Sequence, residues 1–149
     1  MKFAEFHSGQ QIEAGPYEVT REEIIDFAHR YDPQWFHTDP EAAAAGPFDG
    51  LIASGWHCCS IAMRLVVDRV LQGSESYASP GLKYVKWPNP VRPDDRLSLR
   101  LSVLDVRRST KRPELGILQW RWQLFNQQAL EVLDLEATSM FKLEAEQRR

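Results

Sequence analysis

Three stretches of the chain alternate apolar and polar residues with a period of two. Leu97, Leu99, Leu101 and Val103 alternate with Ser98, Arg100 and Ser102. Leu118, Trp120, Trp122 and Leu124 alternate with Gln119, Arg121 and Gln123, and Leu133, Leu135 and Ala137 with Asp134, Glu136 and Thr138. This pattern predicts half-buried antiparallel strands, separated by the turn-rich segments RRSTKRPELG and NQQ. LKYVKW, ended by Pro88, predicts a further short strand. Upstream the period is helical. Thr20 followed by Glu23 reads as a capping box. The helix it opens turns Ile24, Ile25, Phe27 and Ala28 inward and stops before Pro33, because a residue preceding proline avoids helical geometry. SGWHCCSIAMRLVVDRVL predicts a second helix, with Ser54 as its cap and apolar residues around most of its circumference. His57, Ser60, Arg64 and Asp68 form one narrow polar stripe along it. A helix this apolar is expected to be wrapped on most sides. An apolar-faced sheet following such a helix predicts an α+β single-layer wrap, with residues 1–149 as one domain.

Between the two helices, positions 31–53 form a long connection with a helical turn expected at 41–45. Connections of this length inside a compact domain tend to be functional. This one opens with YDPQWFHTDP, where Asp32, Gln34, His37 and Asp39 crowd around Trp35 and Phe36. A plain surface loop has no need of the aromatic pair, and a plain core segment has no need of the polar cluster. Asp32 and His37 are five residues apart with Pro33 stiffening the turn, so their side chains can converge on one water as an acid–base pair. The Gly55 N–H, at the start of the apolar helix, is a donor without an intrahelical partner at the positive end of the dipole. Such a donor can hold a developing oxyanion. Asp39 is expected to cap the helical turn after it, and His57 to belong to the polar stripe.

Composition narrows the classes. A formal charge of -3 argues against a nucleic-acid binder. No apolar run reaches the roughly 18 residues of a membrane span, and the N-terminal MKFAEFHSGQ lacks a secretory apolar core. Cys58 and Cys59 are adjacent, so they are read as two small apolar residues on a buried helix in a reduced, cytoplasmic protein. Asp32, His37, Asp39 and His57 match no specific metal spacing, and IASGW lacks the Gly-x-Ser-x-Gly elbow of serine hydrolases.

The run Asp32, Pro33, Gln34, Trp35, Phe36, His37, Thr38, Asp39 resembles the signature of the MaoC-like hydratases, which include the (R)-specific enoyl-CoA hydratases. FDGLIASGW, at 48–56, is similar to that family's segment leading into its central helix. The family signature carries Asn where Gln34 stands and Pro where Trp35 stands. The resemblance implies a hot-dog fold, with an antiparallel sheet wrapped around a central apolar helix. It also implies Asp32 and His37 as the catalytic pair and Gly55 as the oxyanion donor. Gln34, Trp35, Ser54 and Trp56 would then contact substrate, with Trp35 filling pocket volume.

The chemistry implied is reversible hydration of a 2-enoyl thioester carried by coenzyme A or an acyl carrier, with no metal or organic cofactor. Two rival readings remain open at this stage. One is a hot-dog thioesterase, the other a non-catalytic acyl-thioester-binding subunit. Lys83, Lys86, Arg92, Arg96, Arg107, Arg108, Lys111 and Arg112 lie around strand ends and turns, and a subset could meet the carrier's phosphates. Hot-dog domains join their sheets edge to edge, so a homodimer or higher even oligomer is expected.

Overall fold

The computed structural model describes residues 1–144. Strand β1 (Gln11–Glu18) leads into helix α1 (Arg21–Tyr31), followed by two short helices, α2 (Trp35–Thr38) and α3 (Pro40–Ala44). Helix α4 (Gly55–Val66) precedes four strands, β2 (Ser76–Lys86), β3 (Arg96–Arg108), β4 (Leu115–Phe125) and β5 (Glu131–Lys142). The five strands form one antiparallel sheet in the order β1-β3-β4-β5-β2.

The alternation along β3, β4 and β5 sets their register. Leu101 pairs with Trp122, which pairs with Leu135, and Val103, Trp120 and Ala137 form the next rung. These rungs face Cys58, Ile61, Ala62 and Val66 of α4, and all of them are buried in one core cluster. Each fully buried Leu contributes about 1.5–3 kcal/mol of transfer free energy. The buried Trp120 indole satisfies its polar edge by donating to Ser139 Oγ at 3.0 Å.

Several expectations are corrected. β1 carries no clean alternation, because Gly15 and Pro16 interrupt it and Ile12 alone is fully buried; only pairing with β3 makes it a strand. β2 begins at Ser76, six residues before LKYVKW, through largely exposed positions with repeated register shifts. The sheet does wrap α4, leaving Trp56 and Met63 exposed along the helix. His57 leaves the polar stripe: it is buried, stacked on Phe27 with ring centroids 4.7 Å apart, and its Nε2 lies 3.3 Å from Glu23 Oε2. The α1 capping box forms as expected between Thr20 and Glu23. No helix of the described residues is long and apolar enough to cross a membrane.

Candidate active site

Asp32 ends α1, where its backbone leaves helical geometry one residue before Pro33. The chain then makes the single turn of α2, from which His37 points inward and is 5% exposed. The apolar run Leu51, Ile52, Ala53 is buried beneath it. The Ile52 N–H donates to the Phe36 carbonyl at 3.2 Å, and the Ala53 N–H donates to the Val91 carbonyl at 2.9 Å. This buried strap carries the chain to α4 and supplies the acceptor that orients His37.

The imidazole is held from both sides. Its Nδ1 lies 2.7 Å from the Ile52 carbonyl oxygen, and a carbonyl only accepts, so Nδ1 carries a proton. Nε2 is thereby turned toward Asp32 Oδ2, 3.2 Å away. The carboxylate is also fixed. Oδ1 accepts from the Gln34 amide at 2.6 Å, and Oδ2 accepts from Ser54 Oγ at 2.8 Å. Burial alone would raise the Asp32 carboxyl, but the hydrogen bonds from Gln34 and Ser54 and the neighbouring His37 outweigh it. They hold Asp32 below the ordinary carboxylate range. The longer amide of Gln34 therefore reaches the carboxylate from two residues away.

Ser54 stands at the N-cap position of α4, but its hydroxyl caps nothing. It is committed to Asp32, which corrects the capping expectation, and it leaves the Gly55 N–H as the helix's first unshared donor. Glycine is required there by close approach: an added Cβ would lie 2.4 Å from Cε2 of Trp87.

Beside this pair lies a cavity of about 280 Å³, lined by His37, Phe48, Ile52, Gly55, Trp87 and Val91 among others. Trp35 and Trp56 are not among its lining residues in the chain. The Trp35 ring packs over Gly46 and edge-on to Phe36 instead. The reason is helical geometry: at 100° per residue, Trp35 and His37 leave α2 on nearly opposite sides. Trp56 is 59% exposed and packs edge-on to Trp87. Asp39 caps α3 by accepting from the Ala42 N–H at 3.1 Å, so neither it nor His57 joins the Asp32–His37 pair.

Trp87 is the lining residue that sequence reasoning missed. The sequence marks only a strand ending at Pro88, yet neither Pro88 nor Pro90 can donate to a ladder. They take the chain off the sheet and drop the Trp87 indole onto Gly55. Burial raises the neighbouring Cys59 thiol, and the Trp87 side chain offsets part of that rise. Cys59 in turn lines a second, apolar cavity of about 370 Å³ with Met63, Leu82, Trp122 and Leu135. Burial pushes the Cys58 thiol up to about 12, so it is no nucleophile near neutral pH. A larger groove of about 630 Å³ lies between β1, β3 and the β4–β5 turn, away from Asp32 and His37.

Comparison with known proteins agrees with this architecture. The profile of the MaoC like domain matches residues 4–117. The chain belongs to the MaoC-like domain family. Its structure is similar to the MaoC-like dehydratase from Rhodospirillum rubrum, with a TM-score of 0.87 and 33% identity over 95% of this chain and 96% of that one. The MaoC-like fold of both is the hot-dog fold. In sequence it is 34% identical over 142 residues to the Bacillus subtilis protein YdeM, covering 95% of this chain and 99% of that protein. It is 37% identical over 90 residues to 3-hydroxyacyl-thioester dehydratase Z of Mycobacterium tuberculosis, a match spanning 59% of this chain and 60% of that protein.

Proposed function

We propose that this MaoC-like chain catalyses reversible hydration of a 2-enoyl thioester to the 3-hydroxyacyl thioester. The observation that carries the reading is the Asp32–His37 pair at 3.2 Å, oriented by Gln34, Ser54 and the Ile52 carbonyl beside a cavity that also exposes Gly55. In the hydration direction a water held between Oδ2 and Nε2 loses a proton to the pair, and its oxygen bonds to C3. The C2–C3 double-bond electrons move toward the thioester carbonyl, whose oxygen becomes enolate-like and takes the Gly55 N–H. The pair then returns a proton to C2. Acid–base assistance contributes typically about 10²–10⁴ in rate, and one oxyanion donor about 3–4 kcal/mol. Gln34 and Ser54 serve as positioning residues for Asp32, and no step needs a metal or an organic cofactor.

The thioester is carried by coenzyme A or an acyl carrier, and its acyl tail is placed past Trp87 in the apolar cavity behind Cys59. The working form is a homodimer. The similarity to 3-hydroxyacyl-thioester dehydratase Z of Mycobacterium tuberculosis supports the substrate class.

Purified protein given a trans-2-enoyl-CoA should consume the conjugated double bond without releasing thiol, and should form the (R)-hydroxyl product. Asp32→Asn and His37→Gln should each lower the rate at least ~10²-fold while the fold is retained. Thiol release at the rate of enoyl loss would replace this reading with a thioesterase. Acyl-CoA binding with neither signal, across several chain lengths, would replace it with a binding subunit.

A further inference from the structure

Eight basic residues lie around the strand ends and turns, and the structure sorts them. Lys83 lies 3.9 Å from Glu136, Arg107 lies 4.0 Å from Asp105, and Arg112 bonds Glu114 at 2.8 Å. Lys86 lies over the Tyr84 ring, and Arg108 also has a partner. Arg108, Lys111 and Arg112 sit at the β3–β4 turn. The catalytic cavity, by contrast, takes Val132 from the start of β5 and Trp87 to Val91 from the end of β2. The antiparallel length of β4 separates the two ends by roughly 30 Å at about 3.3 Å per residue. Arg96 is exposed.

Arg92 is different. It is half-buried, and its guanidinium makes no hydrogen bond or ion pair among the described residues. Arg21, Arg30 and Arg96, which also lack one, are exposed. Its backbone is held firmly: the Arg92 N–H donates to Asp95 Oδ2 at 2.9 Å, while Asp95 Oδ1 takes the Gln127 amide at 2.9 Å. Asp95 thus fixes the backbone without neutralising the side chain. Val91, the residue before, lines the catalytic cavity, as do Phe48 and Ile52 on the facing segment. The guanidinium lies against Gly50, between those two, with Nη1 3.7 Å from where a Cβ would stand. A positive charge withdrawn partly from water without an acceptor is unfavourable until an anion completes it.

We propose that Arg92 is the anion site for a phosphate of the carrier arm that brings the thioester into the cavity. This rests on the thioester reading above. With the thioester beside Gly55 and His37, the arm leaves between the 48–50 and 90–92 segments, where Arg92 offers a fork suited to phosphate oxygens.

The test compares wild type with Arg92→Met, which keeps the aliphatic stem, on one short enoyl group carried by coenzyme A, by 4′-phosphopantetheine or by pantetheine without phosphate. KM should rise at least roughly tenfold for a phosphate-bearing carrier, as loss of a charge-assisted bond predicts, with kcat within about twofold. The penalty should shrink to about twofold on the pantetheine thioester. A penalty on both phosphate carriers assigns the phosphate next to pantetheine, and one confined to coenzyme A assigns the nucleotide phosphates. Equal penalties on all three, or none on any, overturn the inference. Calorimetry with free coenzyme A separates it from the hydratase reading. Arg92-dependent binding by a protein that hydrates nothing keeps the anion site and removes the reaction. Intact hydration with Arg92-independent binding and KM removes only the anion site. No binding and no hydration by wild type removes both.

Discussion

At Asp32 Oδ2 a hydroxyl and an imidazole meet on one carboxylate oxygen, with Ser54 Oγ at 2.8 Å and His37 Nε2 at 3.2 Å. Because Asp32 is held below the ordinary carboxylate range in the folded chain, its ionised form stabilises the fold above about pH 4. That contribution is lost as pH falls through the lowered folded value. The difference in melting temperature between wild type and Asp32→Asn should therefore be largest near neutrality and shrink below about pH 4. A difference that stays constant through the acid range would show that the hydrogen bonds do not favour the charged form. Gly55 offers a second test at this scale. Gly55→Ala forces a Cβ to 2.4 Å from the Trp87 ring and should destabilise by about 1–3 kcal/mol, as overpacking does. In a Trp87→Ala background most of that loss should disappear, a coupling that denaturant titration of the double-mutant cycle measures. Equal losses in both backgrounds would mean the two residues do not share the space.

The elements decide which way the chemistry-bearing side chains face. One turn of α2 sends His37 to the buried strap and Trp35 to the surface. α1 and α4 meet twice, at Asp32 with Ser54 and at Glu23 with His57, so the carboxylate and the first amide of α4 are set by one helix pair. Chain-length preference accordingly belongs to the connection after β2. Trp87→Ala should raise kcat/KM on longer enoyl thioesters relative to short ones. Trp35→Ala should leave that ratio within about twofold, since distant, non-contacting sites contribute independently. The reverse pattern in steady-state kinetics would put Trp35 in the pocket of the working enzyme.

For the whole molecule, the strand order leaves β1 and β2 as edges. β1 shows solvent Gln11, Glu13 and Glu18, whereas β2 exposes Tyr77 and Leu82. Trp56, Met63 and Trp87 add to the exposed apolar groups on α4 and at the end of β2. An unpaired edge carrying apolar side chains is a pairing surface, and closed two-fold symmetry is the commonest way to cover one. Sedimentation should give about twice the 17.2 kDa chain mass at micromolar concentration. Tyr77→Lys with Leu82→Lys should shift it toward the monomer, because like charges facing across the two-fold repel. A wild-type monomer, or a dimer indifferent to both changes, would place the interface elsewhere or remove it.

Much of this protein was legible from local rules. The period-two runs of β3, β4 and β5, the Thr20–Glu23 capping box and the stop before Pro33 depend on neighbours within a few residues, and each was recovered. So was the cap of α3 by Asp39. The Asp-to-His spacing pointed to a pair of side chains, because a short prolyl turn limits where they can go. What lay beyond local rules needed partners remote in sequence. β1 exists through β3, Ser54 abandons its cap for Asp32 across 22 residues, and His57 is buried by α1. Trp87 reaches Gly55 only because the sheet brings the two together. Trp87 and Arg92 alike stand out only once the chain is packed, Arg92 after the other basic residues of the strand ends and turns have been placed. Hydrogen bonds and burial of this kind depend on three-dimensional packing, and sequence periodicity carries no record of it.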